Sequence, residues 1–184
     1  MIFIYNRLYY LNLLWRHTGD GRKCTANELQ LMLLQLLAEA PAHGYELIKR
    51  LKHISADYYR PSPGVLYPAL ATLESLGFAE VETKGRRKKY HLTTSGKMHL
   101  QQHATDADEL FIILRHVAKK MLWVKYANSN PVLATEVTGW TPDYIASRDA
   151  LRSALFSIDD SCIEEQQRVA KILQRTAEEI LNKS

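Results

Sequence analysis

The sequence predicts a mostly α-helical fold with one small β-hairpin, an α+β chain, on three observations. Three apolar stripes at helical spacing lie between Thr25 and Gly77, two short alternating runs follow around a glycine, and helical periodicity then returns. With 184 residues, 46% of them hydrophobic, the chain is long enough to bury a core.

The first helix is announced by Thr25-Ala26-Asn27-Glu28, where the threonine hydroxyl reaches the Glu28 N–H and the carboxylate reaches back. Leu29, Met32, Leu33, Leu36, Leu37 and Ala40 recur at steps of three and four, and Pro41 ends the run. A second helix is expected from His43 or Gly44 to about Ser55, with Tyr45, Ile48 and Leu51 inward and Lys49, Arg50 and Lys52 toward solvent. Pro61-Ser62-Pro63-Gly64 interrupts the pattern. The third helix carries Val65, Leu66, Ala69, Leu70, Leu73 and Leu76 on one face, with Gly77 as its C′ residue. A start near Gly64 or Val65 puts Pro68 in the first turn, where helix N–H groups have no partner anyway; Ser62 as N-cap with Pro63 at the first position is the alternative. Phe78 to Thr83 and Arg87 to Thr93, joined by Lys84-Gly85-Arg86, read as a hairpin.

From Thr94 the pattern is helical until Asn128-Ser129-Asn130-Pro131 breaks it. Two overlapping stripes run along this helix, one through Ala107, Phe111, Leu114, Ala118 and Met121, the other through Leu110, Leu114, Val117, Met121 and Val124. Such a helix needs more than one neighbour. Thr141 before Pro142 is a further N-cap, and Ser161-Cys162-Ile163-Glu164 has capping-box spacing before a last helix whose buried residues should be Ile163, Val169, Leu173, Ala177 and Ile180. The order of three helices and a hairpin is that of a winged helix-turn-helix. The domains expected are an N-terminal arm over residues 1–24, the winged helix over 25–96 and a helical dimerisation domain over 97–184, its subunit contact made by Leu110, Phe111, Leu114, Val117 and Met121.

The formal net charge of +4 is unevenly spread. Residues 43–103 hold ten basic and five acidic groups, whereas residues 104–184 hold ten and twelve. A basic middle beside a mildly acidic end suits a nucleic-acid module joined to a domain with another task. Cys24 and Cys162 lie far apart with no CxxC spacing, which argues against a disulfide framework or a structural zinc site and fits a cytoplasmic protein. Met1 to Trp15 is the most apolar stretch, but Asn6, Arg7 and Asn12 break it, and it lacks the pattern of a signal peptide; no membrane association is expected. Gly-rich phosphate loops, nucleophile elbows and HExxH are missing from the sequence, so no catalytic residue and no cofactor are expected, and the chain does not read as an enzyme. His99 and His103 stand four apart on a helix, but two imidazoles leave a metal site incomplete, and no metal is assigned. Trp123 is a candidate for stacking a planar ligand, with packing as the plainer role.

In a winged helix the third helix enters the major groove of double-stranded DNA and the hairpin follows the backbone. Lys84, Arg86, Arg87, Lys88 and Lys89 crowd the hairpin tip, where a line of phosphates would pair with them. The outward face of the third helix offers Ser62, Gly64, Tyr67, Ala71 and Thr72, hydroxyl-bearing or small residues suited to close approach, and Lys49 of the second helix flanks it. A merely solvated hairpin, and Tyr67 packed beneath the wing, are the competing readings. A winged-helix protein-interaction module without specific DNA binding is the alternative function; it would lack salt-steep affinity for duplex.

His43-Gly44-Tyr45-Glu46-Leu47, Pro61-Ser62-Pro63-Gly64-Val65-Leu66-Tyr67-Pro68-Ala69-Leu70, Leu73-Glu74-Ser75-Leu76-Gly77, Arg86-Arg87-Lys88-Lys89-Tyr90 and Leu92-Thr93-Thr94-Ser95-Gly96 together resemble the PadR family of bacterial transcriptional regulators. The resemblance implies a homodimeric repressor paired through its C-terminal helices, released from DNA by a small ligand or a metal, with Ser62, Tyr67 and the wing cations facing DNA. Gly21-Arg22-Lys23 and Tyr58-Tyr59-Arg60-Pro61 are similar to a subgroup that includes a nickel-responsive repressor of an iron-reductase gene. That repressor has a His/Cys-rich N-terminal extension. Here the first 24 residues hold only His17 and Cys24, so nickel sensing is not carried over.

Overall fold

The structure, a computed structural model, describes residues 24–182, so the expected N-terminal arm lies outside the described residues except for Cys24. Two compact units divide the chain, at residues 1–129 and 130–184. The first contains α1 (Ala26–Glu39), β1 (Ala42–His43), α2 (Gly44–Ile54), α3 (Pro63–Ser75), β2 (Ala79–Lys84), β3 (Arg87–Leu92), α4 (Thr94–Gln102) and α5 (Ala104–Tyr126). The second contains α6 (Pro131–Thr138), α7 (Pro142–Ser157) and α8 (Ile163–Leu181).

α1 is the centre of the first unit. Its capping box forms as expected, with Thr25 N–H donating to Glu28 Oε2 at 2.8 Å and Glu28 N–H donating to Thr25 Oγ1 at 3.2 Å. The stripe Leu29, Met32, Leu33, Leu36 and Leu37 is buried, and Leu34, outside that stripe, is buried with it. The reason is that α1 has neighbours on several sides, packing against α3, α4, β3 and α5. Each fully buried leucine stabilises the fold by roughly 1.5–3 kcal/mol.

Four sequence expectations change in this unit. The helix expected from Thr94 is two helices, broken at His103, whose φ of −113° and ψ of 23° leave the helical region. The break lets Leu100 on α4 and Ala107, Phe111 and Leu114 on α5 join the same core. Of the two starts expected for α3, the structure has the alternative, Pro63 with Ser62 at the N-cap, so Pro68 falls beyond the first turn. Without an N–H it leaves the Gly64 carbonyl lacking its i+4 donor. Tyr45, Val65 and Leu76, expected inward, are exposed, because Leu47 and Leu51 on α2 and Leu66, Ala69, Leu70 and Leu73 on α3 already fill the contact faces. Finally the sheet has three antiparallel strands in the order β1-β3-β2 rather than two. Ala42 pairs with Tyr90 and His43 with Lys89. Two residues are too few for alternation to reveal a strand.

In the second unit Asn130 and Thr141 cap α6 and α7, accepting from the Leu133 and Tyr144 N–H groups at 3.0 and 3.2 Å. Gly139 ends α6 at a φ of 69°, the left-handed region that favours glycine. Cys162, not Ser161, holds the N-cap of α8. α7 and α8 bury no residue, so Ile163 and Ile180, expected in a core, are 69% and 72% exposed.

The start of α4 is pinned to the entry of β2. Thr93 Oγ1 accepts from Gly96 N–H at 3.0 Å and donates to Gly77 O at 2.6 Å, and the Thr93 N–H donates to Phe78 O at 3.1 Å. A Cβ on Gly96 would overlap the Phe78 backbone carbonyl, whereas one on Gly64 would meet nothing nearer than Ser62 Oγ at 3.9 Å. Gly96→Ala should therefore lower stability by about 1–3 kcal/mol. Gly64→Ala should leave it unchanged or raise it by a few tenths, since alanine is the better helix former. Urea unfolding of the two variants checks the contrast.

Candidate nucleic-acid interface

The turn between α2 and α3 is held by one buried hydroxyl. Ser55 Oγ donates to Leu51 O at 2.8 Å and accepts from the Tyr59 N–H at 2.8 Å, while Ala56 and Asp57 take φ values of 48° and 69°. Left-handed backbone at two non-glycine residues persists only where the surroundings fix it. The Ser55 bonds and the Lys52–Asp57 ion pair at 3.3 Å supply that, and the turn delivers Arg60 and the first turn of α3 to the surface.

On α3, Ser62, Gly64, Tyr67, Ala71 and Thr72 are all exposed, as expected of an outward face. Thr72 Oγ1 donates to Pro68 O at 3.0 Å and keeps its lone pairs for an incoming donor. Tyr67 is 43% exposed with one side of its ring against Gly44, so it is both packed and presented. Behind it lies Tyr90, whose hydroxyl is pushed up in pKa first by burial and then by Glu74 and Tyr67. Lys49 is exposed on α2, its Nζ 5.7 Å from the Tyr45 ring centre.

The wing register sorts its charges. Glu80 faces His91, Glu82 faces Lys89 and Lys84 faces Arg87 along the outer side; Val81 faces Tyr90 and Thr83 faces Lys88 on the other. Near the base the acidic groups have partners, Glu82 facing Lys89 and lying with its Oε2 3.1 Å from His91 Nε2. At the tip the charges are all cationic. Lys84 and Arg87 sit directly opposite each other, and Gly85, at a φ of 63°, and Arg86 form the two-residue turn between them. Like charges directly opposite destabilise a hairpin. Lys84, Arg86, Arg87 and Lys88 are exposed and Lys89 is half-buried, and none of the five has an ion-pair partner among the described residues.

The N-terminus of α2 joins these parts, and sequence reasoning gave it too little weight. His43 N–H donates to Glu46 Oε2 at 2.8 Å, which holds the Glu46 carboxyl below the usual range. The His43 ring Nδ1 lies 2.8 Å from Lys88 O on the wing, so that nitrogen carries the proton. The available signal was Gly44, a glycine at the first position of a helix where alanine would do better.

Other candidate residues are placed as follows. Phe111 and Leu114 are buried in the chain's own core, which covers the surface they were expected to offer a second subunit; Leu110 and Val117 are half-buried and Met121 is exposed. Trp123 is half-buried in the last turn of α5. His99 stacks on Phe78 at 4.4 Å between ring centres, and burial, then His103, holds its pKa low. Among the described residues no group of three or more His, Cys, Asp or Glu side chains is placed to hold a metal. No helix among them is long and apolar enough to cross a membrane.

Residues 33–102 match the model of the transcriptional regulator PadR-like family. The chain is 38% identical over 89 residues to the transcriptional regulator YqjI of Escherichia coli, a match covering 46% of this chain and 43% of that protein. It thus spans less than half the length of that relative. A transcriptional regulator from Clostridium thermocellum is similar at 26% identity over 43% of this chain and 81% of that one, with a TM-score of 0.41. A PadR-like transcription factor from Bacteroides fragilis is similar at 26% identity over 50% and 91%, also at 0.41. The matched residues 33–102 run from within α1 to the end of α4, so the three helices and the wing are the part of the chain that is similar to the PadR-like family of transcriptional regulators.

Proposed function

We propose that this chain is a cytoplasmic transcriptional repressor that binds double-stranded DNA as a homodimer and leaves it in response to a small ligand or a metal. The observation that carries the DNA reading is the unpaired wing tip, where Lys84 and Arg87 oppose each other across a turn holding Arg86. A hairpin that keeps like charges in register gains once an anion comes between them. A duplex backbone supplies such anions at regular spacing. Ser62, Gly64, Tyr67 and Thr72 on α3 are then the groove-facing set, with Lys49 alongside and Lys84, Arg86, Arg87, Lys88 and Lys89 on phosphates. Trp123 is the residue we assign to stacking a planar effector.

The dimer is assigned to the apolar stripe of α8, because Ile163, Ile172 and Ile180 are exposed on a helix that buries no residue of its own. Leu110, Val117 and Met121 on α5 are a separate candidate surface for pairing. The functional division stays as 25–96 for DNA binding and 97–184 for pairing. Because α5 is part of the first unit's core, a truncation at its start would damage that core. Point changes are the better probe.

Three outcomes test the reading, using duplex sequences that the purified protein selects from genomic fragments. Replacing Arg86, Arg87 and Lys88 with alanine should weaken selected and random duplex alike and shallow the plot of log K against log salt by roughly 1–3 units per subunit. An unchanged slope places the wing off the DNA. Tyr67→Phe keeps the ring and its packing, and should lose about 0.5–1.5 kcal/mol of affinity if the hydroxyl bonds DNA. A loss on selected duplex alone indicates a base contact, and a loss on both a phosphate contact. Changing Ile163, Ile172 and Ile180 to aspartate should give a monomer in sedimentation, with weaker binding to two-half-site DNA and undiminished first-unit helicity. A variant that still sediments as a dimer would move the interface elsewhere.

A further inference from the structure

Gly44 is buried beneath the ring of Tyr67. A Cβ at position 44 would lie 2.6 Å from Tyr67 Cε1, 3.0 Å from Cζ and 3.1 Å from the hydroxyl oxygen. Carbon atoms in contact prefer about 3.5–4.0 Å. The side chain that glycine lacks is therefore the space the tyrosine occupies. We propose that Gly44 is a positioning residue for DNA reading: its missing side chain is the seat that sets where Tyr67 presents its hydroxyl. The proposal rests on the DNA-binding role assigned to Tyr67 above.

Two ordinary reasons for a glycine do not apply. The φ of Gly44 is outside the left-handed region, so its backbone is open to any residue. Its place as the first residue of α2 calls for no flexibility either, and alanine there would favour the helix. What remains is the ring. When a methyl is added at 44, either the backbone or the ring must yield, and the surroundings decide which. The backbone is held from both sides. On one, Ala42 and His43 pair with Tyr90 and Lys89 of β3, and the His43 ring bonds Lys88 O; on the other, the His43 N–H bonds Glu46 and α2 begins. Tyr67 is 43% exposed and has solvent to move into. The ring yields.

It does not yield smoothly. Side chains occupy staggered wells, and a ring crowded out of one moves to the next rather than backing off by a fraction of an ångström. The hydroxyl is then displaced by several ångströms, on the order of a turn of about 120° about χ1, far beyond the tolerance of a hydrogen bond. Because the same short segment also pairs with β3, the seat fixes Tyr67 relative to the wing as well as to α3. The signature is an effect of the added methyl that depends on the Tyr67 ring, since a glycine kept only for its backbone would show the same effect with the ring removed.

The experiment is a double-mutant cycle in the full-length protein. Wild type, Gly44→Ala, Tyr67→Ala and the double variant are titrated at fixed salt against a fluorescein-labelled selected duplex and a scrambled duplex of equal length, with thermal melts in parallel. Gly44→Ala should weaken selected-duplex binding by roughly two- to tenfold, the loss of about one hydrogen bond, with a melting temperature no lower than wild type. In the Tyr67→Ala background the same change should alter affinity by less than about twofold. If Gly44→Ala is itself poorly folded, removing the ring should restore its melting temperature, which supports the seat equally. Wild-type affinity in Gly44→Ala overturns the proposal, as does an equal loss in both backgrounds or a Tyr67→Ala that binds normally. A wild-type protein without salt-steep affinity for any duplex instead fails the DNA reading itself, which the titration separates from the other results.

Discussion

Everything that positions the proposed DNA-binding surface depends on the burial of α1 over most of its circumference. Leu29, Met32, Leu33, Leu34, Leu36 and Leu37 are all withdrawn from solvent, and an apolar cylinder of that kind forces neighbours onto several sides at once. α3, β3, α4 and α5 are those neighbours. Because α3 and β3 both pack against α1, the exposed face of α3 and the wing are carried by one helix. Interiors pack at crystal-like density and do not deform continuously, so the separation between the residues proposed to face the groove and those proposed to face the phosphates is set by the fold. Pre-organisation of this sort spares the interface part of the ordering cost that flexible arms incur.

On that support, the wing is arranged by charge. Its inner side is anchored by Ala79, Val81 and Tyr90, and the acidic groups on its outer side lie near the base, where Glu82 meets His91 and Lys89. Moving outward along the register, the acidic partners run out and the cations continue. The gradient matters more than the total. A net charge of +4 spread evenly would say little, whereas a tip whose cross-strand pair is Lys84 with Arg87 carries a local repulsion that the base does not share. Two-stranded ribbons gain only fractions of a kcal/mol per good pair, about 0.2–1. The hairpin that carries this pair is extended nearer its base by β1, which pairs with β3 at Tyr90 and Lys89.

Much of this was legible in the sequence, and the parts that were not have physical reasons. The Thr25 capping box, the apolar stripes of α1 and α3 and the glycine turn at Gly85 are local signals, each decided by residues within a few positions of one another. β1 was hidden because two residues carry no period. The break at His103 was hidden because the stripe continues through it: Leu100 and Ala107 are both buried, and only the need to reach a common core divides the helix. Tyr67 could be placed outward from helix geometry, but its contact with Gly44 joins residues 23 positions apart on different helices, which no spacing argument reaches. Phe111 and Leu114 were expected at a subunit contact because a helix with two apolar stripes needs more than one neighbour; α1 and α2 of the same chain pack against α5, and both residues join that core.

The second unit presents the opposite physics. α7 and α8 bury no side chain, and the ion pairs along them, Arg152 with Asp149, Arg168 with Glu165 and Arg175 with Glu179, are local and exposed. Such pairs are worth about 0.3–0.5 kcal/mol each, while ordering a residue's backbone costs about 1–2 kcal/mol. Helices of 16 and 19 residues are near the length at which an isolated helix is marginal even with the best helix formers. Stability for these helices has to come from covering an apolar face. α8 has one, centred on Val169, Leu173 and Ile180, with Ile163 and Ile172 at its two edges and most charged groups on the opposite side. A second copy brings an identical stripe, and a two-fold axis lets the two cover each other without leaving a new patch exposed. That closure is why pairing between copies is the assignment preferred here for this face.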